Sequence, residues 1–199
     1  MIVGMTTLIL GLVLFLGIHS VRIVADDWRG RFIAGRGRLA WRGLHSLLAI
    51  AGFVLICVGF AQARQQPVVL WAPPRWTHDL AAALTLLAFV LLSAAYIPAN
   101  GIKARVKDPM ILGVECWAAG HLLANGTLAD VVLFGSFLAW SVLDFRAVRQ
   151  RRRAGREPTV AAPRRGRTAI TAVVGLLAWM LFAFHLHRPL IGVMPISWH

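Results

Sequence analysis

Three imidazoles lie inside or at the ends of apolar runs with few other polar groups: His19 in Phe15-Leu16-Gly17-Ile18-His19-Ser20, His45 in Trp41-Arg42-Gly43-Leu44-His45-Ser46, and His121 in a short run from Met110 to Leu123. That run also carries the Glu115 carboxylate and the Cys116 thiol. In hydrocarbon each such group needs an acceptor, a counter-charge, a watered cavity or a metal. Two facing helical imidazoles are what a bis-imidazole haem site requires. Gly17, Gly113 and Gly120, with the flat ring of Trp117, would provide the apolar slot. A packed, hydrogen-bonded histidine explains the same residues without a metal, and the residues by themselves favour that plainer account.

Counted from Pro109 at about 1.5 Å per residue, Glu115 lies about 9 Å into its helix. It could pair with Arg22, Arg42 or His19 to fix packing, or act as a catalytic carboxylate; the buried pair is the favoured reading. Cys116 reads as an inert core thiol rather than a thiolate ligand. His78, His185, His187 and His199 fall at an outer boundary where imidazoles are solvated, and the His185/His187 spacing resembles no strong zinc motif. Tyr96, ahead of Asn100-Gly101, suits an interface anchor. Serines, lysines and acids combine into no hydrolase set, and no lysine sits within an apolar run.

The elements that must hold these groups are helices in a bilayer. A chain of 199 residues that is 58% hydrophobic is too apolar for an ordinary soluble domain, and one polytopic all-α bundle over 1–199 is expected. Six apolar segments stand out: Ile2 to about Val24, Gly43 to Ala61, Asp79 to Ile97, Met110 to Leu123, Leu128 to Phe145, and Thr168 to His187. About twenty residues span the hydrocarbon core, so the fourth, with about fourteen, must tilt, thin the bilayer or stay buried against its neighbours. Pro109 suits the first position of that helix, and Asn125-Gly126 suits a tight reversal after it. The first segment has no basic region before it and no small-residue cleavage site after it, so it reads as a helix rather than a signal peptide. Cys57 and Cys116 both lie in apolar runs, where a structural disulfide is not expected.

The formal charge of +13 comes from short blocks between apolar runs, which argues for topology signals and against a nucleic-acid surface. With six crossings and both termini outside, eighteen of the 21 basic residues fall on the inner face, leaving Arg64, Arg75 and Arg188 outside. Gln62 to Thr77, with Trp71 and Trp76, reads as an outer interfacial loop. Arg146 to Arg167 reads as a mobile inner loop held near anionic lipid. No internal repeat and no Gly-rich phosphate loop is apparent.

Phe15-Leu16-Gly17-Ile18-His19-Ser20, the Arg-rich stretch ending Trp41-Arg42-Gly43-Leu44, and above all Met110-Ile111-Leu112-Gly113 with Trp117-Ala118-Ala119-Gly120-His121-Leu122-Leu123-Ala124-Asn125-Gly126 resemble the NnrU family. Those are bacterial inner-membrane proteins associated with denitrification, and they are similar to the plastid zeta-carotene isomerase. The likeness covers most of the chain, and its most specific part is the segment ending His-Leu-Leu-Ala-Asn-Gly. The resemblance implies haem b in a helical bundle, with His19 and His121 at the positions of the isomerase's two histidine ligands. It also implies a bacterial cytoplasmic membrane, and a role in nitrogen-oxide or redox metabolism or in cis–trans isomerisation of a lipid-like polyene. Nitric oxide or an apolar polyene would then be the partner. The isomerase's alternative cysteine ligand falls at Ala118 here, with Cys116 displaced by two residues, so ligand exchange does not carry over.

Lys107-Asp108-Pro109 stands where the family usually has Arg-His-Pro, a pattern also similar to that of isoprenylcysteine-type membrane methyltransferases. A methyltransferase using S-adenosylmethionine, with Glu115 and the Arg42 region lining a pocket, is therefore one alternative, and Asp108 counts against it. A non-catalytic helper protein is another. His19 lies near the inner end of the first segment and His121 about twelve residues into the fourth, a difference in depth of roughly 10 Å. His45 is the alternative ligand if a tilt does not close that gap.

Overall fold

A computed structural model describes residues 2–195; His199 lies outside them. The described residues are helical almost throughout, with one isolated β-bridge, Val69 to Thr127. The helices are α1 Ile2–Val24, α2 Asp26–Ala63, α3 Arg75–Tyr96, α4 Gly101–Val106, α5 Pro109–Ala124, α6 Leu128–Arg153 and α7 Arg167–Leu181. A π-helical stretch, Phe182–Leu186, and a short α8, His187–Ile191, come last. Five helical segments are long and apolar enough to cross a membrane: α1, α2, α3, α6 and the continuous run from Arg167 to Ile191. At 16 residues α5 is the short one, spanning roughly 24 Å against a hydrocarbon core of about 30 Å.

The structure departs from the expectations above at three places. α2 begins at Asp26 rather than near Gly43, because Asp26 and Asp27 favour a helix start and the chain stays helical up to a bend at Gly37. There φ is 85° and ψ 160°, a conformation open to glycine, and the apolar span continues beyond it. α6 runs on through Arg146 to Arg153, a stretch expected to be loop. The segment after α6 makes contacts at two points, Arg151 Nε donating to Glu157 over 2.7 Å and the Arg164 amide to the Ala99 carbonyl over 2.9 Å, while Arg152 Nη2 donates from the end of α6 to Asp108 over 2.6 Å. α4 is an addition to the expected helices. Its N-cap is Asn100, which is almost fully buried, accepts from the Lys103 amide and donates to the Ala94 and Ile97 carbonyls.

The chain divides into two compact units, residues 2–71 with 126–147, and residues 72–125 with 148–195. In the first, α1 and α2 cross at small residues. A Cβ on Gly11 would stand 2.6 Å from the Ile56 amide nitrogen, one on Gly52 2.7 Å from that of Phe15, and one on Gly59 would collide with Leu8. Lipid gives helices no hydrophobic reason to associate, so close backbone approach of this kind supplies the attraction through packing. The first part of α6 joins them through Phe134 against Phe60 and Phe137 against Phe15, its start capped by Asp130 and Thr127. Gly126 is needed for closeness, since a Cβ there would overlap the Trp71 carbonyl.

In the second unit α3 is the shared wall. Gly113 and Gly120 of α5 face the Ala88 and Ala81 carbonyls at 3.2 and 3.3 Å from a notional Cβ, and Gly175 of α7 faces Val90. Trp179 Nε1 donates to Thr85 Oγ1 over 3.1 Å, which satisfies an indole inside an apolar interface.

Candidate functional site

His19 and His121 occupy the same local geometry. Each ring bonds through Nδ1 to the carbonyl four residues earlier on its own helix, His19 to Phe15 O at 2.7 Å and His121 to Trp117 O at 2.8 Å. A carbonyl only accepts, so Nδ1 carries the proton in both, and the in-plane lone pair of the neutral ring lies on Nε2. The residue that supplies the carbonyl also supplies an aromatic ring: Phe15 lies 4.4 Å from His19, centroid to centroid, and Trp117 5.2 Å from His121. His45 repeats the spacing, with Trp41 four residues earlier at 6.0 Å, but its ring nitrogens make no hydrogen bond among the described residues.

Within the first unit the structure brings His19 and His45 together. Their rings stand 4.8 Å apart, near-perpendicular at 73°, and Trp140 of α6 lies 6.1 Å from His19 at 85°. This spacing bears on their use as opposed haem ligands. With about 2 Å from metal to each ring nitrogen and about 1 Å more to each ring centre, imidazoles on opposite faces of an iron have centroids roughly 6 Å apart. As they stand, the two rings leave no room for a porphyrin plane between them. Trp140 Nε1 is buried with no hydrogen-bond partner among the described residues. A further ring cluster, Trp28, Phe32 and Trp41, packs across the Gly37 bend, with the Arg29 guanidinium 5.7 Å over Trp41.

His121 and Trp117 lie in the second unit, with Asn125 Nδ2 donating to the His121 carbonyl over 2.8 Å. Gly113 and Gly120, expected to line a cofactor slot, are spent on the contact with α3, while Gly17 faces open space. Glu115 is half-buried and, contrary to the expected buried pair, forms no ion pair among the described residues. Cys116 is half-buried, Cys57 exposed, and both are free thiols. Asp108 is committed to Arg152. His78 and His185 are exposed, and His187 bonds the Val193 carbonyl. No group of three or more His, Cys, Asp or Glu side chains suited to a metal ion occurs among the described residues.

Sequence reasoning missed the aromatic surroundings of the first unit, Phe15, Trp41, Phe137 and Trp140. Part of that signal is in the sequence: each of the three histidines follows an aromatic residue by four positions, the spacing that stacks side chains along one helix face. Trp140 carries no such mark, because α6 reaches His19 only through the fold.

A helical membrane protein with histidines anchored in apolar helices is the class this fold defines. The chain matches the family model described as NnrU protein over residues 7–195, nearly its whole length, and belongs to the NnrU family. No curated protein and no solved structure matches it.

Proposed function

We propose that this multi-pass membrane protein binds haem b, with His19 and His121 as iron ligands. The supporting observation is the shared Nδ1 bond to the carbonyl four residues earlier. It is the arrangement that fixes a metal-ligating imidazole in one tautomer and makes Nε2 the donor. The resemblance of the His19 and His121 segments to those of a haem-dependent isomerase supports the same assignment. Bound haem would supply an iron able to take up nitric oxide, pass an electron or act on a polyene double bond.

The chain's own tasks are separable from that chemistry. The Phe15 and Trp117 carbonyls hold the tautomers, and the neighbouring Phe15 and Trp117 rings restrict each imidazole's swing. Glu115, half-buried and without an ion pair among the described residues, is the candidate for carrying a proton. The blocks of arginine and lysine support a bacterial cytoplasmic membrane, with those blocks on the inner face.

The test is an absorption spectrum, oxidised and dithionite-reduced, of protein purified in mild detergent from haem-replete cells. A Soret band with sharp α and β bands on reduction is expected. His19→Ala and His121→Ala should each lose the haem or shift it to a five-coordinate spectrum while the protein still inserts. Absence of a Soret band at adequate yield rejects the proposal, and an unchanged spectrum in either variant removes that residue from the ligand set.

A further inference from the structure

We infer that His45 is a positioning residue that sets the plane of the His19 imidazole. The inference rests on the haem reading for its readout and on ring geometry for its argument. His19 is pinned at one edge by the Nδ1 bond to Phe15 O, which fixes the tautomer but leaves the ring free to rock about that bond. Rocking is opposed by packing from two helices: the Phe15 ring at 4.4 Å and 30° on α1, and the His45 ring at 4.8 Å and 73° on α2. A tilted neighbour and a near-perpendicular one constrain different directions of tilt, and the perpendicular contact is within the favourable range for ring pairs.

His45 itself carries no ring hydrogen bond among the described residues, and its own position is backed by Trp41 at 6.0 Å. It stands on α2 just beyond the Gly37 bend, on the apolar span whose Gly52 and Gly59 lock against α1, so its ring is delivered to His19 by the helix crossing. Groups that orient a ligating imidazole commonly affect metal affinity about 10–100-fold when removed. His45 would orient the His19 ring by contact alone, without a hydrogen bond to it.

The experiment uses haem-loaded protein in mild detergent, wild type beside His45→Ala, His45→Phe and His45→Gln. Two readouts are taken: the low-temperature electron paramagnetic resonance spectrum of the ferric form, whose g-value spread follows the planes of the axial imidazoles, and the rate of haem transfer to an excess of an acceptor haem protein. His45→Ala and His45→Gln are expected to shift and broaden the g values and to speed haem loss about tenfold or more. His45→Phe, which keeps a ring against His19, is expected to stay near wild type in both. The inference is overturned if His45→Ala matches wild type in both readouts, or if His45→Phe behaves like His45→Ala. A wild-type preparation without a Soret band would instead fail the haem reading itself, and this inference with it.

Discussion

The two anchored imidazoles reach one local geometry by different routes. Around His121, Trp117 four residues before supplies an acceptor carbonyl and a ring, and the Asn125 side chain four residues after donates to the His121 carbonyl. Around His19 only Phe15 is local; His45 comes from α2 and Trp140 from α6. The Nδ1 bond of the first needs only an intact helical turn. The second needs three helices seated correctly, and that seating depends on glycines far along the chain from the histidine. An imidazole that must keep its tautomer can be held locally, whereas one whose ring plane must also be held calls on tertiary packing.

The largest effect should come from breaking the crossing that the His19 surroundings depend on. Gly59→Val puts a branched side chain where even a Cβ collides with the Leu8 backbone, and neither backbone can yield without separating α1 from α2. Overpacking of this kind costs about 1–3 kcal/mol, more where backbone must move. Thermal unfolding in detergent should show that loss and, under the proposed haem reading, weakened haem retention with it. Gly120→Ala on α5 meets the Ala81 carbonyl at 3.3 Å, which a shift of a few tenths of an ångström relieves. Its cost is expected below about 1 kcal/mol. Equal losses in the two variants would contradict the difference between the two surroundings.

A smaller effect is expected at the start of α5. Asp108→Asn leaves Arg152 with a weaker acceptor in a site where the two side chains, Arg152 and Asp108, are only 27% and 14% exposed, and where Arg152 Nε is already buried with no partner among the described residues. A hydrogen bond between charged groups is worth about 1.5–3 kcal/mol, less what the partly exposed arginine recovers from water. The expected outcome is a stability loss of roughly 1–2 kcal/mol and faster proteolysis between Arg153 and Arg164, without change in any haem band. A shifted Soret band would mean that the start of α5 bears on the His121 surroundings, which would make them less local than their hydrogen bonds indicate.

How much of this was legible depends on the range of the forces involved. The bounds of α1 and the proline start of α5 could be read from hydrophobic runs and end signals, because both are properties of adjacent residues. The ring contacts beside His19 and His121 were partly legible, since an aromatic stands four residues before each, while the Nδ1 bond to a backbone carbonyl leaves no mark in residue type. The helical Asp26–Arg36 stretch was hidden by its arginines and glycines, and its stability draws on Trp28 and Phe32 packing against Trp41 beyond a bend. The contacts of the arginine-rich stretch were not legible because its partners lie far along the chain, Asp108 being 44 residues from Arg152. Gly113 and Gly120 looked like a cofactor slot because a glycine in the sequence does not say whether a ring or another helix approaches it; here α3 does.

The smallest effect expected is at Asn125, and it tests the local half of the comparison most directly. Asn125 Nδ2 donates to the His121 carbonyl, so Asn125→Ala removes one hydrogen bond at the end of α5 and should cost about 1 kcal/mol, visible as a small drop in thermal stability. The imidazole itself should not register the change. Its tautomer is set by the Trp117 carbonyl one turn earlier, and the bond lost at Asn125 involves the backbone of His121 and not its ring. Nitrogen-15 spectra of histidine-labelled protein should therefore show the His121 ring nitrogens unshifted in Asn125→Ala. In Trp117→Ala, where the carbonyl stays but the ring is gone, they should broaden as the imidazole gains freedom to swing. If Asn125→Ala alone moves the His121 ring signals, the cap and not the preceding turn governs that ring, and the contrast with His19 would have to be redrawn around the Asn-Gly end of α5.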